Sequence, residues 1–180
     1  MKKVFLATAL LVASAGIFSF TGQFADTYTV DVAKSKADWT GSADNRYHAG
    51  NVSLKSGTVT VDNGKITGGK FVFDLTTIKT TDGTGERLEG HLKSPDFFDV
   101  AKFGEATYEV TSVNYTSENL AQVSGNLVVK GVSVPLSFPV KVRGLKDGKL
   151  FAEAYFTLDS TPFSKRAYGV EIAAHLFANK

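Results

Sequence analysis

The sequence predicts an all-β chain, a sandwich or a barrel of roughly eight to ten strands, with one short helical segment. Three observations carry this expectation. Apolar and polar residues alternate with period two over most of the chain. Short turns rich in Gly, Asn and Asp separate the alternating runs. One segment alone departs into helical spacing.

The chain opens on Lys2 and Lys3, followed by an uncharged apolar run from Val4. That order predicts a cleaved secretory signal peptide over residues 1–25. The run gives way to Ser19, Thr21, Gly22 and Gln23, which leaves it marginal for spanning a bilayer. Ala25 suits the position before the cut, although Gln23 fits the small-x-small rule poorly. The remaining residues, 26–180, suffice for one domain with its own core. Removing Lys2 and Lys3 takes the formal charge from +2 to zero, so no electrostatic footprint for nucleic acid is expected. The chain has no cysteine, which excludes disulfides, thiolate metal sites and a cysteine nucleophile. Asn51 and Asn114 stand in glycosylation patterns, which matter only in a eukaryotic secretory pathway, and the leader reads as bacterial.

Strands are expected at "YTVDVA" and "KADWTG" near the start. "TVTVDNGKITGGKFVFDL" reads as a hairpin turning at Asn63-Gly64. Val59 and Val61 share one face before the turn, and Phe71, Phe73 and Leu75 share one after it. Ile66 has the other parity, so a bulge near Gly68-Gly69 is expected. Leu88 and Leu92 then have helical spacing, which predicts a helix from about Gly85 to Lys93. Ser94-Pro95 reads as an N-cap and first position, with Asp96 in the first turn, so a second turn of helix is expected from Pro95. Strands resume at "EATYEV" and at "NLAQVSGNLVVKG", where Ala121, Val123, Gly125, Leu127 and Val129 share a face. "VSVPLSFPVKV" alternates with Val132, Val134, Leu136, Phe138, Val140 and Val142 inward. Pro135 and Pro139 fall outward, which points to an edge or bulged strand. Asp147-Gly148 turns the chain into "KLFAEAYFTLD", with Leu150, Ala152, Ala154, Phe156 and Leu158 inward. "VEIAAHLFA" closes the series.

Chemistry has little purchase here. His48, His91 and His175 show no metal-ligand spacing, and no HExxH occurs. No G-x-S-x-G elbow is present; "GVSVP" is the nearest approach, and its Ser133 points outward. "TTDGTGERLEG" lacks the ending and spacing of a phosphate loop. "LEGHLKSPDFFDV" could seat His91 as a base oriented by Asp96 or Asp99, but no nucleophile adjoins it. The preferred reading is structural. Asp96 suits a helix terminus, His91 satisfies a buried carbonyl or carboxylate, and Leu92, Phe97 and Phe98 supply apolar surface. Several inward positions are small, among them Ala106, Ala121, Gly125, Ala152 and Ala154. They leave volume inside a barrel unless some of the fourteen phenylalanines fill it.

At these residues the chain resembles the YceI-like family of exported, lipocalin-like proteins. The resemblance runs from about Thr27 to Leu176 and rests on several motifs: "YTVDVAKSKADWTG", "HAGNV" with His48, "GGKFVFDLTTI", "LEGHLKSPDFFDVAKF", "VSGNLVVKGVSVPLSF" and Arg166-Ala-Tyr168-Gly169. Gly104-Glu105 departs from the family, which commonly has proline there. The resemblance implies an antiparallel barrel of eight strands with a helical segment over it. It also implies a long apolar, polyisoprenoid-like lipid in the lumen. On that reading Trp39, Phe71, Phe73, Leu92, Phe97, Phe98, Tyr108, Val123, Leu127, Phe138, Ala154 and Phe156 contact the ligand. No catalytic residue, metal or cofactor is expected. The expected partners are the lipid and, transiently, a membrane, in the periplasm or outside the cell. Arg87, Lys93 and Arg166 at the rim are read as solvated surface charges rather than headgroup contacts, and binding is expected to depend little on salt. Two other readings stay open: a hydrolase or isomerase acting on a lipid in the same pocket, and a non-binding structural or stress-related barrel.

Overall fold

A computed structural model describes residues 25–43, 45–164 and 169–180, the side chain of Ala43 excepted. The expected signal segment up to residue 24, and Arg166 to Tyr168 of the last motif, lie outside the described residues.

Nine strands and one helix are present among the described residues. They are β1 (Asp26–Val30), β2 (Lys36–Ala43), β3 (Arg46–Asp62), β4 (Lys65–Thr80), α1 (Glu86–Lys93), β5 (Glu105–Tyr115), β6 (Leu120–Val129), β7 (Val132–Lys146), β8 (Lys149–Asp159) and β9 (Gly169–Asn179). All ladders are antiparallel, and the order β3-β2-β9-β8-β7-β6-β5-β4 closes where β4 meets β3. The fold is therefore an eight-stranded barrel, as expected. The ninth strand shares a stave. β2 bonds one half of β3 and β9, while β1 bonds Thr58 to Val61 of β3 and Ala178 and Asn179 of β9. At the break between them Ser35 substitutes for backbone. Its buried hydroxyl accepts from Phe177 N–H at 3.0 Å and lies 3.2 Å from Phe177 O.

Two-residue turns set the hairpin registers. Asn63-Gly64 and Asp147-Gly148 have φ of 49°, 73° and 53°, 70°, the left-handed pair that matches strand twist. Lys130-Gly131 makes a third such turn, which its lysine concealed in the sequence. The anticipated bulge occurs where Thr60 pairs Gly68 but Val61 pairs Ile66, and it returns Ile66 to the core.

Three expectations change. β3 reaches back to Arg46, well before the Thr58 at which alternation becomes legible, because its register breaks at Asn51/Ser53 and Leu54/Ser56. β7 is not an edge strand, since it lies between β6 and β8, but it is bulged, with its register on β8 shifting between Val142 and Gly144. However, its pairing with β8 begins at Val140, so Pro135 and Pro139 sit in a half bonded to β6 alone. The missing N–H groups of proline are tolerated in such a half. There the stacked rings of Phe138 and Phe156, with centroids 4.2 Å apart, join β7 to β8 instead. Finally, no second helix starts at Pro95. Ser94 ends α1, and its hydroxyl turns back to His91 O at 2.7 Å rather than forward as a cap. The chain continues as turns, with Phe97 N–H and Asp99 N–H both donating to Ser94 O.

The core has two parts. Tyr28, Val30, Leu54, Val59, Val61, Ile66 and Leu150 fill the end bearing the Asn63 and Asp147 turns. Leu75, Ile78, Phe97, Tyr108, Val123 and Leu127 line the end beneath α1.

Candidate ligand-binding cavity

Between these clusters the barrel keeps a cavity of about 710 Å³. It falls within the roughly 300–1,000 Å³ common for small-molecule sites. All twelve residues singled out from the sequence lie on its wall.

Glycine explains how large aromatics line the lumen without closing it. Trp39 on β2 pairs with Gly50 on β3. A β-carbon at Gly50 would lie 2.3 Å from Trp39 Cζ2 and 2.0 Å from Lys79 O, so the indole lies flat on bare backbone. Tyr108 rests on Gly125 in the same way, since a β-carbon there would lie 2.8 Å from its Cζ. Its hydroxyl crosses to donate to Leu136 O at 3.0 Å. Burial pushes the Tyr108 hydroxyl up to about 12. Such an acid stays neutral and suits an apolar wall.

The segment after β4 covers the mouth. α1 buries no residue fully and has no side-chain cap. Glu89 ties it down by accepting from Thr80 N–H at 2.9 Å and from its hydroxyl at 3.2 Å. The Thr80 amide thereby holds the Glu89 carboxyl below its ordinary range. Lys130 Nζ donates to Pro95 O at 2.7 Å and anchors the following turns to the β6–β7 hairpin. These contacts set Leu92, Phe97 and Phe98 over the lumen. Phe98 packs on Phe97 at 4.6 Å and stacks on Phe163, from the turn after β8, at 5.8 Å. His91 does not play the expected part. It is exposed, satisfies no buried carbonyl or carboxylate among the described residues, and meets Phe97 edge-on at 6.3 Å. Asp99 shapes the cover through backbone, with φ 51° and its carbonyl accepting from Lys102 and Phe103 N–H.

The sequence reading missed Phe163, Ile78 and a polar rim. The inward parity of β3 runs Arg46, His48, Gly50, Val52, so its polar members reach the mouth. That parity was the available signal, hidden because this half of β3 was not recognised as strand. Phe163 had none. His48 Nδ1 lies 2.8 Å from Asp82 Oδ2 and 3.1 Å from the Thr84 hydroxyl. Asp82 also accepts from the Thr84 hydroxyl, from Thr84 N–H at 3.0 Å and from Ala49 N–H at 3.4 Å. These bonds, those from Thr84 foremost and then His48, hold its carboxyl well below the usual range. Arg87, read from sequence as a solvated charge, stands on the cavity rim, whereas Lys93 does not. Among the described residues no group of three or more His, Asp or Glu is placed to hold a metal ion.

The family described as YceI-like domain matches residues 28–179. A UPF0312 protein of Pseudomonas putida (strain GB-1) is 33% identical over 147 residues, covering 80% of this chain and 74% of the relative. A UPF0312 protein of Pseudomonas fluorescens (strain SBW25) is 36% identical over 88 residues, covering 49% of this chain and 45% of the relative. Among solved structures, BcnA of Burkholderia cenocepacia superposes with a TM-score of 0.70 at 20% identity, over 83% of this chain and 99% of its own. A polyisoprenoid binding domain from Saccharophagus degradans, implicated in plant cell wall breakdown, does so with a TM-score of 0.64 at 16% identity, over 84% and 97%. At these identities the structures show a common fold.

Proposed function

The chain belongs to the YceI-like domain family, and from that premise we propose that it is an exported protein that carries or sequesters a long apolar, polyisoprenoid-like lipid without covalent chemistry. The observation that carries the reading is the open lumen, walled by Trp39, Phe71, Phe73, Tyr108, Val123, Leu127, Phe138, Ala154 and Phe156 and covered by Leu92, Phe97 and Phe98. The polyisoprenoid binding domain with the same fold supports the choice of ligand class. Apolar burial supplies the affinity. At roughly 0.3 kcal/mol per ligand atom for a large ligand, a chain of some tens of carbons reaches nanomolar binding. The leader, Lys2, Lys3 and the run from Val4, supports export to the periplasm or beyond.

The test begins with mass spectrometry of an organic extract of native protein, together with its intact mass. A mature chain starting between Gly22 and Asp26 and carrying a long apolar lipid is the expected result. Full-length chain held in the membrane would refute export. Ala154→Trp, inside the lumen, should cut displacement of a fluorescent polyene, while Ser137→Trp, on the exposed face, should not. Equal binding by the two variants would remove the lumen as the site.

A further inference from the structure

The barrel wall is not equally closed all round. β4 and β5 pair from Asp74 with Glu105 down to Lys70 with Glu109, and no further. Below that level each strand bulges against its other neighbour. β4 does so on β3, where Thr60 pairs Gly68 but Val61 pairs Ile66, and β5 does so on β6 between Val110 and Ser112. A bulge bends its strand. With two at one level, β4 follows β3, β5 follows β6, and the seam between them opens. The Ile66 N–H marks the separation. It donates to the Tyr115 hydroxyl at 2.8 Å, so a side chain stands where a continued ladder would place a β5 carbonyl. Lys65 lies over the same ring, its Nζ 4.9 Å from the centroid.

The gap reaches the lumen, since Ile66, Gly68, Val110 and Val113 all line the cavity. On the β4 side Gly68 and Gly69 have no side chain to fill it. The other seam with an unbonded half, between β7 and β8, is shut by the stacked rings of Phe138 and Phe156. The mouth lies under Leu92, Phe97 and Phe98. At roughly 30 Å³ for a water-sized group, a cavity of about 710 Å³ holds on the order of two dozen chain carbons. The surplus of a longer chain has to leave the lumen.

We infer that the gap between β4 and β5 is a lateral port, through which the far end of a long apolar chain passes out of the barrel. The Gly68-Gly69 backbone forms one side, Val110 and Val113 the other, and the bond from Ile66 to Tyr115 the sill. The port rests on the carrier reading above and deepens it: the site takes slender chains whose length the lumen does not limit.

The chain has no cysteine, so one introduced thiol reports on one place. Gly68→Cys and Ser112→Cys put a thiol on each side of the gap. A β-carbon at Gly68 would meet only Thr60, at 3.6 Å, and Ser112 is exposed, so both positions accept the change. Thr157→Cys, exposed on β8 beside the shut seam, is the control. Delipidated protein is titrated with farnesol or solanesol, isoprenoid alcohols shorter and longer than the lumen. Trp39, the sole tryptophan and part of the cavity wall, reports occupancy by its emission. Alkylation of each thiol by a maleimide is then timed. Free solanesol at about ten times its Kd should slow both gap thiols on the order of tenfold, because only unoccupied protein reacts freely. Farnesol should saturate Trp39 and leave them at the free rate, and Thr157→Cys should respond to neither. If one gap variant fails to fold in thermal unfolding, the other carries the measurement. Solanesol that saturates Trp39 without protecting a gap thiol overturns the port and leaves the carrier reading standing. Equal protection by farnesol, or equal protection of Thr157→Cys, also overturns the port, since the chain end is then not what covers the gap. No response of Trp39 to either alcohol overturns the carrier reading itself.

Discussion

Gly50→Ala tests the idea that bare backbone keeps the lumen open. The new methyl would stand 2.0 Å from Lys79 O, 2.3 Å from Trp39 Cζ2 and 2.6 Å from Trp39 Cε2. The indole can swing aside, but the carbonyl belongs to the β4 backbone opposite and cannot. Relief requires β3 and β4 to part where Gly50 pairs Thr80 and Asn51 pairs Lys79. Overpacking of this kind costs about 1–3 kcal/mol. Losing one or two ladder hydrogen bonds adds about 1 kcal/mol each. The sum is about 2–5 kcal/mol, which for a domain of this size lowers Tm on the order of 10 °C. Gly41→Ala is the control. Gly41 also lines the cavity, yet nothing lies within 4 Å of the position its β-carbon would take. Its substitution should change stability by less than about 1 kcal/mol, on the stabilising side, as glycine in a strand loses more entropy on folding than alanine. Thermal unfolding followed by circular dichroism measures both. Trp39 emission should shift in Gly50→Ala and stay constant in Gly41→Ala. If Gly50→Ala melts within about 2 °C of Gly41→Ala, the glycine platform is not what holds Trp39 against the wall.

Three further outcomes follow from groups around the cavity. Tyr108 ionises near 10 when unfolded and at about 12 when folded, so its contribution is complete below pH 10 and is lost as pH rises through 12. That loss is about 2–3 kcal/mol, and in alkaline melts Tyr108→Phe should lack that step. Asp82 shifts the other way: its folded carboxyl lies below the ordinary 3.8, so its stabilisation is present above that value and disappears as pH falls through the folded one. The Tm gap between wild type and Asp82→Ala should therefore hold from pH 7 to 5 as a working range, then close in stronger acid; a gap that widens in acid would refute the assignment. His91→Ala should change stability by about 0.5 kcal/mol or less, as for an exposed side chain away from buried networks, and a loss above about 2 kcal/mol in chemical denaturation would show a buried partner.

How much of this protein was legible in its sequence follows from the range of each interaction. Alternation is local, and it survives folding wherever one face of a strand meets the lumen. Val123, Leu127, Phe138, Ala154 and Phe156 were thus readable on the cavity wall without coordinates. The turns at Asn63-Gly64 and Asp147-Gly148 are local too, since their backbone conformation selects those residues. Other features needed the tertiary structure. β3 before Thr58 is interrupted by register shifts, which hid the period-two parity that carries Arg46 and His48 inward. Ser94 could cap forward or backward, and only the docked helix decided that it bonds His91 O. His48 finds Asp82 across 34 residues, and Trp39 finds Gly50 across a strand pair. Closure of the barrel sets these meetings. A local pattern says which face a residue takes, while register between distant strands decides which residue it meets there and at which end of the lumen.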